Sequence, residues 1–182
     1  MENKPKLILP ESVKKLVIDK KKDKVNKNAW YFQNGNVNEE LEITKIDQLF
    51  NSIDGDKCFG FVYLIENLDN GRKYIGKKQL EFNRRTKLGK KALSARVDKR
   101  TSKHKTTTKE SDWVTYTGSN LELNKDIEDG NRIKKHILAL SYNKAELSYH
   151  ETKYQFVFNV LETPEYYNGN ILGKFFNRYK SQ

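Results

Sequence analysis

The chain has 182 residues, a formal net charge of +11 and a pI near 9.5. Its single cysteine, Cys58, excludes a disulfide framework within the chain and argues against a metal cage of thiolates. Because no run of about 18 apolar residues occurs, we expect no membrane span and a cytoplasmic location.

The length suits one folded domain with an extension, and we place the boundary at residue 58. Residues 1–57 are predicted to form an N-terminal extension that serves as scaffold, dimer contact or DNA contact. Its composition favours a short helix over 10–23, strands around an Asn-Gly turn within 28–43 and a helix over 44–53.

Residues 58–79 read as a β-hairpin, in which Asn70-Gly71 predicts a tight type I′ turn. Apolar side chains occupy both faces of its first arm, so we expect a central strand that is covered on both sides. One face carries Phe59, Phe61, Tyr63 and Ile65, and the other carries Val62 and Leu64.

The stretch 84–112 is basic and polar, and it predicts a helix followed by a mobile loop. Residues 84–109 contain eleven Lys or Arg and one acid, Asp98, which gives +10 of the net +11. A local excess interleaved with Ser and Thr is typical of contact with a polyanion. The alternative is a solvated basic loop without a partner.

Beyond this stretch, Ser119 and Glu122 form a capping box that predicts a helix from Asn120 to about Gly130. The segment "RIKKHILAL" (132–140) fits a strand or a helix. The clearest helix runs over 144–161 and ends before Pro164.

On this last helix, Glu151 interrupts a core-facing stripe made by Leu147, Tyr154 and Phe158. A carboxylate in an apolar stripe costs several kcal/mol unless a cation or a donor meets it. A salt bridge to a lysine, a metal ligand and a catalytic carboxylate all satisfy that requirement.

Five features, described next in chain order, resemble the GIY-YIG nuclease superfamily. The triplets are "FVY" (61–63) and "YIG" (74–76), with ten residues between them. Arg84, eight residues after Gly76, matches the arginine that the superfamily places on the next helix. Glu151 matches the metal-binding glutamate, and Asn168 matches the closing asparagine, with Asn170 as its competitor. The segment "WVTYTGS" (113–119) is also similar to small members of the group.

Two positions depart from the superfamily pattern. Phe61 stands where members usually have Gly, and Leu88 stands where many have His. The resemblance implies an α+β fold, with a small antiparallel sheet built on the hairpin and flanked by helices. Residues 58–182 would be the nuclease domain, with the basic stretch 84–112 as an insertion.

The resemblance also implies a mechanism for phosphodiester hydrolysis. Tyr63 would be the general base, favoured as phenolate by Lys73, Lys77 and Arg84. Arg84 would also hold the scissile phosphate, and Tyr74 would orient the water or the phosphate. Glu151 would bind one Mg²⁺ or Mn²⁺ ion. Gly76 would form a strand-end bulge or leave room for the nucleic-acid backbone.

The chain most resembles a small Type II restriction endonuclease, which implies a bacterial or phage-encoded enzyme that cuts double-stranded DNA at a short specific site. Cutting both strands would call for a two-fold homodimer. We expect no small-molecule cofactor. The alternatives are a phage- or homing-type nuclease of the superfamily and a non-catalytic basic nucleic-acid-binding protein. The expected DNA-binding residues are Arg85, Lys87, Lys90, Lys91, Arg96, Lys99, Arg100 and Lys103.

Overall fold

The computed structural model describes residues 25–33, 40–51, 58–95, 97–98, 100 and 102–177. The strands in these ranges are β1 (Trp30–Gln33), β2 (Glu40–Ile43), β3 (Gly60–Asn67), β4 (Lys73–Gln79), β5 (Glu81–Lys87), β6 (His104–Glu110), β7 (Ile133–Ser141), β8 (Asn170–Ile171) and β9 (Phe175–Phe176). The helices are α1 (Ile46–Asn51), α2 (Lys90–Ser94), α3 (Leu121–Glu128) and α4 (Lys144–Val157).

The predicted hairpin lies within a five-stranded sheet of order β2-β1-β7-β3-β4. Strand β3 pairs antiparallel with both β4 and β7, whereas β1 runs parallel to β7. The alternatives left open for 132–140 are resolved in favour of a strand, β7, whose residues are buried almost throughout. The predicted α+β class is therefore confirmed, and β4 forms one edge of the sheet.

The N-terminal segment contributes to this same sheet. Strands β1 and β2 pair with each other, and Trp30 at the start of β1 is fully buried. The predicted strands within 28–43 and the helix within 44–53 are confirmed, while the predicted helix over 10–23 and the Asn-Gly turn lie outside the described residues. Part of the expected extension is thus built into the sheet.

Every residue of β3 is buried, as its apolar pattern predicted. Phe61, Tyr63 and Ile65 belong to one core cluster together with Trp30 and Trp113. On the opposite face, Val62 and Leu64 pack in a second cluster with residues of α4. Because each face is closed by a separate set of contacts, strand β3 is held between two packed clusters, with β4 beside it at the edge of the sheet.

The hairpin turn differs from the predicted type I′ turn. Among the residues of this loop only Gly71 has a positive φ, at 76°. The Asn67 side chain accepts hydrogen bonds from the backbone N–H groups of Asp69 and Asn70, at 3.0 and 3.3 Å. This local side-chain bonding favours a longer loop, in which one left-handed glycine is sufficient.

The basic stretch also differs from its prediction. Instead of a long helix and a loop, β5 and β6 form a separate two-stranded antiparallel ribbon, with the short helix α2 between them. Thr106–Thr108 are three consecutive β-branched residues, which favour an extended backbone. They pair with Asn83, Arg84 and Arg85 of β5, and this pairing forms the ribbon.

The two later helices follow the sequence closely. Helix α3 occupies the predicted position, although its N-cap is Asn120, which accepts from the Leu123 N–H at 2.9 Å, rather than Ser119. Helix α4 ends at Val157, earlier than predicted, and presents Leu147 and Tyr154 to the core. Among the described helices, none combines the length and the apolar character that crossing a membrane requires.

Candidate active site

Tyr63 and Gly76 are partners across the β3–β4 pair, and the tyrosine ring lies over the glycine. A Cβ atom on Gly76 would lie 2.5 Å from the Tyr63 hydroxyl oxygen and 3.0 Å from a ring carbon of Tyr74. Only a residue without a side chain fits that space. The Tyr63 ring is therefore sufficient reason for a glycine at this position.

The segment 113–119 covers both tyrosines. Gly118, at φ +94°, lies so close to Tyr74 that a Cβ atom there would come within 2.9 Å of its ring. The Tyr74 hydroxyl lies 3.4 Å from the Ser119 hydroxyl. The Tyr63 and Tyr116 rings meet edge to face, with centroids 6.2 Å apart. The segment that resembled small nucleases therefore forms one wall of the site.

Two buried side chains anchor that segment at its start. The Trp30 indole N–H donates to the Trp113 carbonyl at 2.8 Å, and the Lys135 ammonium donates to the Val114 carbonyl at 2.6 Å. The same ammonium lies 4.4 Å from the centroid of the Trp30 ring. Strands β1 and β7 thereby fix a wall of the site from within the core.

The edge of β4 is closed by the segment after α4. The Asn168 side chain accepts from the Ile75 N–H at 3.0 Å and donates to the Ile75 carbonyl at 2.8 Å. Its amide thus replaces a neighbouring strand at this residue. Asn170 is exposed, and its side chain accepts from the Gly173 N–H at 2.9 Å. Both asparagines line the cavity described below, but only Asn168 holds β4.

Glu151 of α4 reaches Lys77 of β4. The Lys77 ammonium lies 2.8 Å from a carboxylate oxygen of Glu151 and donates to the Ser148 hydroxyl at 3.1 Å. The Glu151 side chain is 16% exposed and that of Lys77 is 35% exposed, so water reaches both groups. The salt bridge considered for Glu151 is present, and it leaves the carboxylate accessible.

These groups surround an open cavity of about 430 Å³ at the β4 edge. Its wall brings together four of the predicted site residues, Tyr74, Lys77, Glu151 and Asn168. The remaining lining residues include Ser119, Asn120, Gln155, Gly169 and Asn170. Ammonium, carboxylate, amide and hydroxyl groups converge here, which is a composition suited to a phosphate and a hydrated cation.

Tyr63 lies behind this wall, only 1% exposed. Burial raises the pKa of its phenol well above the usual value, and Tyr74, Tyr116 and Glu151 add to that shift. The sequence led us to expect neighbouring lysines to favour the phenolate. That expectation is wrong for the free protein, because Lys73 faces Glu165 at 3.9 Å and Lys77 is paired with Glu151.

Arg84 lies on strand β5 rather than on a helix, and it is exposed. It pairs with Thr107 in the ribbon and is not among the residues that line the cavity. The superfamily spacing predicted a helix directly after the second triplet, and here an inserted strand occupies that place. The structure therefore separates Arg84 from the group formed by Tyr74, Lys77 and Glu151.

The predicted DNA-binding residues are spread along the ribbon and its tip. Arg85 and Lys87 are exposed on β5, Lys90 and Lys91 are exposed on α2, and Arg100 and Lys103 are exposed in the connection to β6. Arg96 and Lys99 lie outside the described residues.

The donor set at the cavity fits one hard divalent cation. Within the described ranges, no group of three or more His, Cys, Asp or Glu side chains could hold a metal ion. Glu151 can offer one accessible carboxylate, and Mg²⁺ is commonly held by one or two carboxylates while it keeps several waters. A site that relied on several protein ligands would not fit here.

Three residues that shape the site were not singled out from the sequence. Gln155 is buried and donates to the Ile75 carbonyl at 3.3 Å, and it follows Glu151 by one helical turn. Helical spacing could have identified it. Asn120 donates to the Tyr167 carbonyl at 2.8 Å, and Gly118 makes room for Tyr74. Both lie in or beside the "WVTYTGS" segment, which was the available signal.

Comparison with known proteins agrees with this geometry. No curated protein and no solved structure matches the chain. A protein-family model described as "Putative endonuclease segE, GIY-YIG domain" matches residues 44–171. That range contains both triplets, the segment 113–119, Glu151 and Asn168. The chain therefore belongs to the SegE family of GIY-YIG endonuclease domains.

Proposed function

We propose that this protein is a metal-dependent endonuclease that hydrolyses phosphodiester bonds of double-stranded DNA at defined sites. The observation that carries the proposal is the cavity at the β4 edge, where Tyr74, Lys77, Glu151 and Asn168 meet within a GIY-YIG domain. A nuclease domain implies DNA as substrate, and the basic ribbon that follows β4 supplies positive charge beside the site.

The first role of the cavity is to bind the scissile phosphate. The Lys77 ammonium and the Tyr74 and Ser119 hydroxyls are donors on its wall, and phosphate oxygens accept such bonds. Lys77, which lines the cavity, is the phosphate-binding cation in this proposal, whereas Arg84 does not line it. Asn168 acts indirectly, because it fixes the edge of the strand that carries Tyr74 and Lys77.

The second role is to hold one Mg²⁺ or Mn²⁺ ion at the Glu151 carboxylate. When bound, the ion would polarise the phosphate and stabilise the leaving oxygen. Because Glu151 is paired with Lys77 in the free protein, a bound ion would compete with the ammonium for the carboxylate and favour its moving away. Lys77 would then be free to contact the phosphate, so both events favour the same rearrangement.

The third role is proton transfer by Tyr63. Its phenol is protonated in the free protein, because burial raises its pKa. Positive charge near the phenol would favour its deprotonation. Lys77 directly follows Gly76, the cross-strand partner of Tyr63, and its side chain lies on the opposite face of β4, so its charge would act on the phenol from across the sheet once the ammonium leaves Glu151. Tyr74, at the cavity wall, would orient the attacking water.

The experiment is cleavage of a mixed-sequence plasmid with Mg²⁺ at low salt. We compare the wild type with Glu151→Ala, Tyr63→Phe and the control Glu128→Ala, whose carboxylate is exposed on α3. Discrete fragments from the wild type and the control, lost in the other two variants while DNA binding persists, would support the proposal. Equal binding without cutting in all four proteins would leave the non-catalytic alternative.

The pattern of fragments separates the two kinds of site-specific enzyme. A short strict consensus would identify the Type II restriction enzyme that the sequence resembles. We favour the phage or homing type, since the matching family is described by the endonuclease segE. That type predicts fewer cuts at longer, loosely read sites. Double-strand cuts with one site per chain would require a two-fold dimer, which sedimentation of the protein on DNA would detect.

A further inference from the structure

The β5–β6 ribbon presents two chemically different faces. Its strands pair over seven positions, from Glu81 with Glu110 to Lys87 with His104. All residues of both strands are exposed except Glu81, which is half-buried. Because side chains alternate across a strand and cross-strand partners share a face, the register assigns each residue to one side.

One side, here named the cationic face, carries three positive charges and no acid. Its members are Phe82, Arg84, Thr86, Lys105, Thr107 and Lys109. The other side, the mixed face, carries two cations and two carboxylates. Its members are Glu81, Asn83, Arg85, Lys87, His104, Thr106, Thr108 and Glu110. The positive charge of the strands is therefore directed to one side.

Threonine hydroxyls bond across the ribbon on both faces, since the Thr107 hydroxyl on the cationic face donates to the Arg84 carbonyl at 3.4 Å. On the mixed face, the Thr108 hydroxyl donates to the Asn83 side-chain oxygen at 3.1 Å, so these polar groups satisfy each other. On the cationic face, Arg84 lies opposite Thr107, and Lys109 lies opposite Phe82. Arg and Lys pair with the O6 and N7 atoms of guanine, and Thr and Phe contact the thymine methyl group. The cationic face thus has the residue types that read a major groove.

The ribbon is also attached beside the candidate active site. At its base, the Ser111 N–H donates to the Leu80 carbonyl at 2.8 Å, and the Ser111 hydroxyl donates to the Gln79 carbonyl at 2.7 Å. Gln79 ends β4, the strand that carries Tyr74 and Lys77. At about 3.3 Å per residue, Lys87 lies at most roughly 33 Å from Lys77 along the chain. That span is about one turn of DNA.

We propose that the β5–β6 ribbon enters the major groove of the substrate with its cationic face toward the bases, so that Arg84, Lys105 and Lys109 determine sequence preference. The groove, about 12 Å wide, admits a two-stranded ribbon. The inference rests on the proposed function, since it takes duplex DNA as the ligand. It assigns Arg84 to base recognition, and it places Arg85 and Lys87 on the side away from the bases.

The test compares two double variants of equal charge change. Arg84→Gln with Lys109→Gln alters the cationic face, and Arg85→Gln with Lys87→Gln alters the mixed face. Binding to a mixed-sequence duplex is measured by fluorescence anisotropy in EDTA, where no metal-dependent cutting occurs. We expect the first variant to bind about tenfold more weakly or worse, and the second to lose about threefold or less. Circular dichroism and the thermal midpoint verify that both ribbons fold.

A second duplex, in which 7-deazaguanine replaces every guanine, tests whether the protein contacts guanine N7 in the major groove. Wild type should bind it more weakly than the ordinary duplex, and the cationic-face variant should no longer distinguish the two. Equal losses in both double variants, or a wild type indifferent to 7-deazaguanine, would overturn the inference. Plasmid cutting by the same wild-type preparation is scored separately. Cutting with no difference between the faces refutes this inference alone, whereas absence of DNA binding refutes the proposed function.

Discussion

Lys77 and Glu151 neutralise each other across the candidate active site, with the ammonium nitrogen 2.8 Å from a carboxylate oxygen. The pair joins β4 to α4, the two elements that form the proposed phosphate-binding and metal-binding sides of the cavity. A cation that binds Glu151 competes with an ammonium that the protein itself supplies. Metal affinity and DNA affinity should therefore be linked through Lys77.

The first prediction follows from this competition. Lys77→Met should raise the affinity for Mn²⁺ severalfold in the absence of DNA, because the carboxylate loses its competing cation. Electron paramagnetic resonance of free Mn²⁺ during a titration measures this. Lys73→Met is the control, since Lys73 faces the exposed Glu165 at 3.9 Å and should leave the affinity unchanged. A gain that persists in the Glu151→Gln background would contradict the assignment of the metal site.

The second prediction concerns the contact between Gly76 and the Tyr63 ring. Gly76→Ala should destabilise the protein by about 1–3 kcal/mol and abolish cleavage, because the new methyl group displaces the tyrosine. Gly71→Ala is the control. Gly71 has φ +76° and open space around it, so alanine should cost about 1–2 kcal/mol without affecting cleavage. Urea unfolding and plasmid cleavage are the measurements, and equal activity of the two variants would contradict the prediction.

The third prediction separates Asn168 from Asn170. Asn168→Leu removes the acceptor of the buried Ile75 N–H and should cost about 1–3 kcal/mol together with most of the activity. The Ile75 carbonyl keeps a donor from Gln155. Asn170→Leu should cost less, because Asn170 is exposed and supports only the Gly173 N–H. Chemical denaturation ranks the two variants, and the reverse order would assign the supporting role to Asn170.

Local patterns predicted much of the fold and part of the site. Apolar residues in 59–65 occupy both faces of an extended strand, so the hairpin could be predicted from the sequence. Helical spacing likewise placed Glu151 among core residues. The ribbon could not be foreseen in this way. Its strands are exposed on both faces, so they lack the apolar period that distinguishes strand from helix or loop.

The failed predictions at the site depend on contacts between distant residues. The Tyr63 pKa is set by burial beneath the segment 113–119, which lies some fifty residues further along the chain. Charges near Tyr63 in sequence therefore gave the opposite direction. Arg84 was matched to the superfamily arginine by its distance of eight residues from Gly76. That distance places an arginine on a helix only when a helix directly follows the second triplet, and here a strand does. Pairing of Lys77 with Glu151 was one of several outcomes that spacing allowed.

The fourth prediction uses the raised pKa of Tyr63. If its phenolate is the base, the logarithm of kcat/KM, which reports the groups of the free enzyme, should rise with pH at a slope of about 1, without a plateau below about pH 10. The rate rises with pH because the phenolate fraction of Tyr63 grows tenfold for each pH unit below its pKa. Tyr74→Phe should keep the slope, and Tyr63→Phe should lose it together with most of the rate. A plateau near neutral pH would identify a different base.

The fifth prediction concerns Lys135, whose ammonium is buried against Trp30 and the Val114 carbonyl. Burial lowers its pKa to about 8 from 10.5. Between these values the unfolded chain binds more protons than the folded one, so stability is greatest above 10.5 and is lost as the pH falls through about 8. Relative to Lys135→Met, the free energy of unfolding of the wild type should therefore rise by about 1 kcal/mol between about pH 7 and 9.

Urea unfolding of both proteins across this pH range measures the difference. A flat profile would mean that the Lys135 ammonium is as well solvated in the folded protein as in the unfolded chain.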